Sequence, residues 1–163
     1  MDHNPAGFFS IIKHPLKFRM FLLSSLPSAY FSGVRVKEID EKKCVVSVPY
    51  KWFSKNPFRS TYFACLSMAA EMSTGALAMA CLYKRVPAVS MLVISVNSNY
   101  IKKADGQTLF TCADGLLIAE AVNKTIQTGE AVEITATSTG RNNNGEIVAE
   151  FEIRWSFKVK SKR

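Results

Sequence analysis

The sequence predicts an α+β domain in which an antiparallel sheet curls around one long buried helix. Three observations lead there. Residues 61–83 make a run of helical length that is apolar nearly all round and carries one charge, Glu71; such a helix must be covered on every side. Residues 147–159 alternate, with Phe151, Ile153, Trp155 and Phe157 on one face and Glu150, Glu152, Arg154 and Lys158 on the other. A strand that long with one wet face belongs to an antiparallel sheet. Finally, five or six strand-like segments surround a single long helix, an imbalance that a sheet wrapped around the helix resolves.

The elements follow in order. Residues 6–24 read as a helix with apolar Phe8, Phe9, Ile11, Ile12, Leu16 and Phe18, which Pro15 kinks or divides; Pro27 and Gly33 mark a break. Val34–Lys37 and Cys44–Val48 are strands joined by the charged turn Asp40–Lys43. After a loop at 51–60, Ser60 is the expected N-cap of the long helix, and Pro87 lies past its end. In residues 88–101, Val89, Met91 and Val93 fall on one face and Leu92, Ile94 and Val96 on the other, so the first half of this strand is expected to be buried on both sides. Asp105-Gly106 is a turn before a short strand at 108–112. Asp114 is placed to cap a second helix that Gly129 ends. Residues 131–139 and 147–159 form a hairpin through Asn142–Gly145. The expected division is an N-terminal helical segment, 1–32, and a wrapped-sheet domain, 33–160.

The bulk properties narrow the function. One domain of 163 residues buries enough surface to need no cross-links. Cys44, Cys65, Cys81 and Cys112 form no close pair and read as reduced, mostly buried thiols of a cytoplasmic protein. The net charge of +8 fits a nucleic acid, an anionic membrane or an anionic small molecule or carrier, or a plain solvated surface. No zinc finger, helix-turn-helix or aromatic-basic RNA motif accompanies it, which disfavours nucleic acid. His3 and His14 lack spaced partners for a metal site. The stretch 13–32 faintly resembles a signal peptide, but its apolar core is short and Pro27 interrupts it. Residues 61–83 could span a bilayer by length; a mid-membrane Glu71 is costly, and the reading adopted is a core helix.

The segment from Asn56 to Glu71, NPFRSTYFACLSMAAE, resembles the site region of PaaI-type acyl-CoA thioesterases of the hotdog fold, over about residues 30–158. In that family a loop Asn precedes a His-Gly-Gly helix entry and then an Asp or Glu two turns in. Asn56 and Glu71 have that spacing, and Ser90 falls where many members carry Ser or Thr. Tyr62-Phe63-Ala64 replaces His-Gly-Gly, a bulkier entry that narrows the site or alters how the carbonyl is held. The resemblance implies hydrolysis of an acyl thioester of coenzyme A or acyl carrier protein. It implies no cofactor beyond the substrate's own coenzyme A, and a homodimer or dimer of dimers. The alternative is a non-catalytic hotdog module that binds acyl ligands, with the basic Phe-rich N-terminal helix as a membrane-surface contact.

The residues themselves carry matching chemistry. Glu71 shares a helix face with Ser67, Thr74 and Gly75; a poised carboxylate there activates water or attacks a carbonyl, while the bland reading is a buried, hydrogen-bonded Glu. Asn56, with a backbone N–H near Phe63 or Ala64, would hold a carbonyl oxygen, or simply close its own turn. Ser90 would orient a water, or merely pack. Tyr62, Phe63, Ala64, Ser67 and Met68 would line the substrate. Coenzyme A phosphates would meet cations among Lys51, Lys55, Arg59, Lys84 and Arg85.

Overall fold

The computed structural model describes residues 5–161. The chain opens with three helices, α1 (Ala6–Lys13), α2 (Pro15–Ser25) and α3 (Pro27–Ser32). Pro15 divides the first two as expected: it takes the first helical position of α2, where a missing N–H costs nothing, and His14 Nδ1 accepts from the Lys17 N–H at 3.4 Å. Helix α3 is a departure from the expected break. Pro27 starts it rather than ending structure, and Gly33, at φ 78°, closes it in the left-handed conformation. Phe8, Ile12, Phe18, Leu22 and Ala29 from these helices join the same core as the sheet.

Strands β1 (Arg35–Ile39) and β2 (Cys44–Val48) precede the central helix α4 (Phe63–Leu82). After it come β3 (Val89–Tyr100), β4 (Thr108–Cys112), helix α5 (Gly115–Thr128), β5 (Val132–Arg141) and β6 (Ile147–Val159). All six strands form one antiparallel sheet in the order β1-β2-β4-β5-β6-β3. The inward residues of β6, Phe151, Ile153, Trp155 and Phe157, are buried against α4, whose own Ala69, Ala70, Ala76, Leu77 and Ala78 are almost fully covered. Small residues on α4 let the sheet approach closely. The long apolar helix is therefore the core of the domain, and two-thirds of its most apolar stretch is buried by the protein itself.

Buried polar atoms pin α4 in register. Ser73 Oγ donates to the Ala70 carbonyl at 2.7 Å and so must accept from Ser138 Oγ, 2.8 Å away on β5. Trp155 Nε1–H donates to Thr74 Oγ1 at 3.0 Å, and Thr74 in turn donates to the Glu71 carbonyl. Gly129, at φ 74°, ends α5 as expected.

Three local expectations need correction. Ser60 does not cap α4: its hydroxyl is engaged with the Asn56 side chain, Thr61 pairs in extended form with Lys55, and Tyr62 takes the cap position without a side-chain bond. Asp114 stands at the cap of α5, but its carboxylate accepts instead from the Thr137 N–H and hydroxyl. Strand β3 is not buried on both sides. It is an edge strand, and Leu92, Ile94 and Val96 are exposed on it.

Candidate active site

The loop before α4 is built by Asn56. Its Oδ1 accepts from the Phe58 and Ser60 N–H groups, at 3.0 and 3.2 Å, and its Nδ2 donates to Ser60 Oγ at 3.0 Å. This closes the turn that carries the chain into the helix, with Arg59 held at φ 58°. The turn ends at Thr61, whose N–H donates to Ala104, and Tyr62, whose N–H donates to Ser54. The next two amides, of Phe63 and Ala64, have no acceptor among the described residues. They are the free N–H groups of a helix start, where the dipole favours a partial negative charge.

A concavity of about 600 Å³ opens beside them, bordered by Asn56, Phe58, Thr61, Tyr62, Phe63 and Tyr100. The Thr61 hydroxyl is buried at this border with no partner among the described residues. A buried orphan hydroxyl costs free energy unless something else satisfies it.

Phe63, Ala64, Ser67, Met68 and Glu71 follow the helical spacing of a single stripe, and over Phe63–Glu71 they are the residues left exposed or half-buried. Glu71 ends this stripe. Its carboxylate is largely buried, has no hydrogen-bond partner among the described residues, and is pushed above the usual carboxylate range by loss of solvent. Gly75, one turn on, makes room for it: a Cβ there would stand 2.9 Å from Glu71 Oε1 and 3.5 Å from Trp155 Cζ2. About seven residues of helix, roughly 10 Å of rise, separate Glu71 from the free amides, and its carboxylate reaches toward Gly75.

Tyr100 completes this face. Its hydroxyl lies 3.3 Å from Ser67 Oγ, and its ring meets Phe63 and Phe151 edge-on at 6.3 and 5.8 Å. Ser90 does not join it. It pairs with Lys158, its hydroxyl donates to the Lys158 carbonyl at 3.0 Å, and both residues sit on the sheet face turned away from α4.

A model of the family described as a domain of unknown function, DUF4442, matches residues 18–157. The chain belongs to this family. Solved structures share the hotdog architecture of this DUF4442 chain at low identity. A Chlorobaculum tepidum protein of unknown function superposes with a TM-score of 0.75 at 17% identity, covering 89% of this chain and 94% of its own. A Pseudomonas aeruginosa protein described as a probable thioesterase gives 0.76 at 18%, covering 90% and 97%. A thioesterase from Haemophilus influenzae gives 0.63 at 10%, covering 91% and 93%. No curated protein matches the chain.

The structure thus gathers Tyr62, Phe63, Ala64, Ser67, Met68 and Glu71 of the DUF4442 chain onto one end of α4, with Asn56 at its entry. The cations divide. Lys51, Lys55 and Arg59 stand around the entry loop, whereas Lys84 and Arg85 lie past the far end of α4, roughly 30 Å of helix away, with Arg85 bonded to Asn123. Tyr100 and Thr61 were missed by sequence reasoning. Thr61 had a usable signal, a hydroxyl directly before an apolar helix; Tyr100 had none, because a bulge between Val93 and Ser95 reverses the alternation of β3. His14 serves as a helix cap, and His3 lies outside the described residues.

Proposed function

We propose that this protein hydrolyses an acyl thioester, with Glu71 as the general base. The observation that carries the reading is the Glu71 carboxylate: the lone acid of α4, largely desolvated, and on the same stripe as two helix-start amides, neither it nor they having a hydrogen-bond partner among the described residues. An acyl carbonyl oxygen held by the Phe63 and Ala64 N–H groups would gain its hydrogen bonds as negative charge develops. Glu71 takes a proton from water, the water oxygen bonds to the carbonyl carbon, and the carbon–sulfur bond breaks. The thiolate leaves and takes a proton, giving carboxylic acid and free thiol. The Thr61 and Ser67 hydroxyls and the second N–H of the Asn56 amide are further groups for substrate or water.

The substrate class follows from charge and shape. Lys51, Lys55 and Arg59 surround the entry with no carboxylate bonded to them among the described residues, which suits the phosphates of coenzyme A or of a carrier-protein arm. The apolar walls of the concavity suit an acyl group. A homodimer through β3 is part of the reading: its edge is long and unpaired, and Leu92, Ile94 and Val96 are exposed on it. Four free thiols, among them the cross-strand neighbours Cys44 and Cys112, support a reducing cytoplasmic setting.

The test is thiol release from a panel of acyl-CoA and acyl-carrier esters, short, long and aromatic. Turnover of one class supports the reading and identifies the acyl group; a folded protein inert on all of them removes it. A binding module is the second reading, and Tyr62 and Phe63 favour it. Their rings, 4.9 Å apart, stand where small residues would leave the amides open. Acyl ligand retained through purification without turnover would support it.

A further inference from the structure

Charge is unevenly divided along this chain. Residues 1–70 hold ten of the 21 cations and four of the 13 acids, so they carry +6 of the net +8. Among the described residues up to 70, the acids are confined to the end of β1 and the turn after it, at Glu38, Asp40 and Glu41.

Helix α2 is apolar on two faces. Phe18 and Leu22 turn into the core, while Leu16, Met20 and Leu23, spaced i, i+4, i+7, are 65, 59 and 40% exposed. By helical position Arg19 flanks this outer stripe on one side and Lys17 on the other. The patch continues beyond the helix. Arg19 lies over the Tyr30 ring at 5.1 Å; the neighbouring Phe31 ring is 5.7 Å from exposed Phe53, and Phe53 meets Trp52 edge-on at 4.7 Å. Arg19, Phe31, Lys51 and Phe53 border one shared concavity, so α2, α3 and the turn at 52–54 present a continuous surface.

A soluble surface does not gain by exposing large apolar side chains in a row. A surface that alternates them with cations bonded to no carboxylate among the described residues matches an interfacial helix, which inserts its apolar stripe at the acyl boundary and sets its cations against lipid phosphates. Aromatic rings such as Trp52 and Phe53 are favoured at that depth. We propose that this face docks on an anionic phospholipid bilayer, with α2 lying in the interface and Trp52 and Phe53 as its aromatic anchor. The concavity beside Asn56 adjoins the same loop through Lys55, so docking would bring the site mouth to the membrane. The inference stands on charge and exposed apolar surface and does not depend on the thioesterase reading.

Trp52 provides the readout, because it is 71% exposed while the second tryptophan, Trp155, is 2% exposed. The full chain is mixed with vesicles of pure phosphatidylcholine, or of equal parts phosphatidylcholine and phosphatidylglycerol. The expected result is co-sedimentation with the anionic vesicles and a blue shift of emission that Trp52→Phe abolishes. High salt should weaken both, and a Leu16→Ser/Met20→Ser variant, altered at exposed positions, should bind several-fold less. Absence of sedimentation would overturn the proposal. So would equal binding to neutral vesicles, or sedimentation with Trp52 emission unmoved, or an unweakened double variant.

Discussion

The hydroxyls of Tyr100 and Ser67 lie 3.3 Å apart, tying the end of the edge strand β3 to the open stripe of α4. Alternation along 88–101 puts Tyr100 on the wrong side of the sheet, because Val89, Met91 and Val93 face inward. A bulge between Val93 and Ser95 shifts the register by one residue, and Val96, Ser98 and Tyr100 then face inward. Tyr100→Phe should keep the fold and lower turnover about 2- to 13-fold, the loss of one hydrogen bond of about 0.5–1.5 kcal/mol. A kcat and KM measurement beside the parent checks this; unchanged values would make the contact structural only.

Gly75 guards the position of the Glu71 carboxylate. A methyl group at Gly75 would meet Oε1 at 2.9 Å, the movable end of a side chain. Gly75→Ala is therefore expected to fold, to move the carboxylate, and to lower activity at least tenfold, about 1.4 kcal/mol in the barrier. Thermal melting and turnover on the same preparation separate this from unfolding.

Thr74 is tested by removing its hydroxyl. Thr74→Val would leave the buried Trp155 N–H without an acceptor and should cost about 1–3 kcal/mol of stability. Urea unfolding measures it, with no loss of buried apolar volume to confuse the reading.

Burial raises the Glu71 pKa, and this fixes two pH dependences. A base must be ionised, so activity should rise with pH along a limb that lies above the ordinary glutamate value of about 4.3. Stability runs the other way. The folded state holds the Glu71 proton more tightly than the unfolded chain, so that contribution is full below about 4.3 and is lost as pH rises through the raised folded value. Glu71→Gln lacks this loss, and its melting temperature should gain on the parent as pH increases.

Strand β3 should carry self-association. Leu92→Asp places a charge on the exposed edge without touching the core, and a dimer formed there should become a monomer by light scattering. A dimer that survives the change must use another surface.

Much of the architecture was legible because it rests on periodicity. The alternation of β6, the all-round apolar α4 and the turn residues Asn142–Gly145 and Gly129 each have one physical solution. The candidate stripe was legible for the same reason, since helical spacing alone places Phe63, Ser67 and Glu71 on a common face. Pairwise choices were not. Whether Ser60 caps a helix or bonds Asn56, and whether Asp114 serves α5 or Thr137, depends on partners brought by the fold. Ser90 was assigned to the site by resemblance, and its pairing with Lys158 turns it to the opposite face. The apolar run at Leu92–Val96 looked doubly buried because an edge strand awaiting a partner has the same composition as a central one.

The central claim is that Glu71 ionises to activate water on an acyl thioester. The most direct measurement is thiol release from acyl-CoA esters by the parent and Glu71→Gln in parallel, with melting curves on both. A folded variant whose turnover falls about 10²- to 10⁴-fold, the usual contribution of a general base, is the expected result. A folded Glu71→Gln protein with undiminished turnover would contradict it.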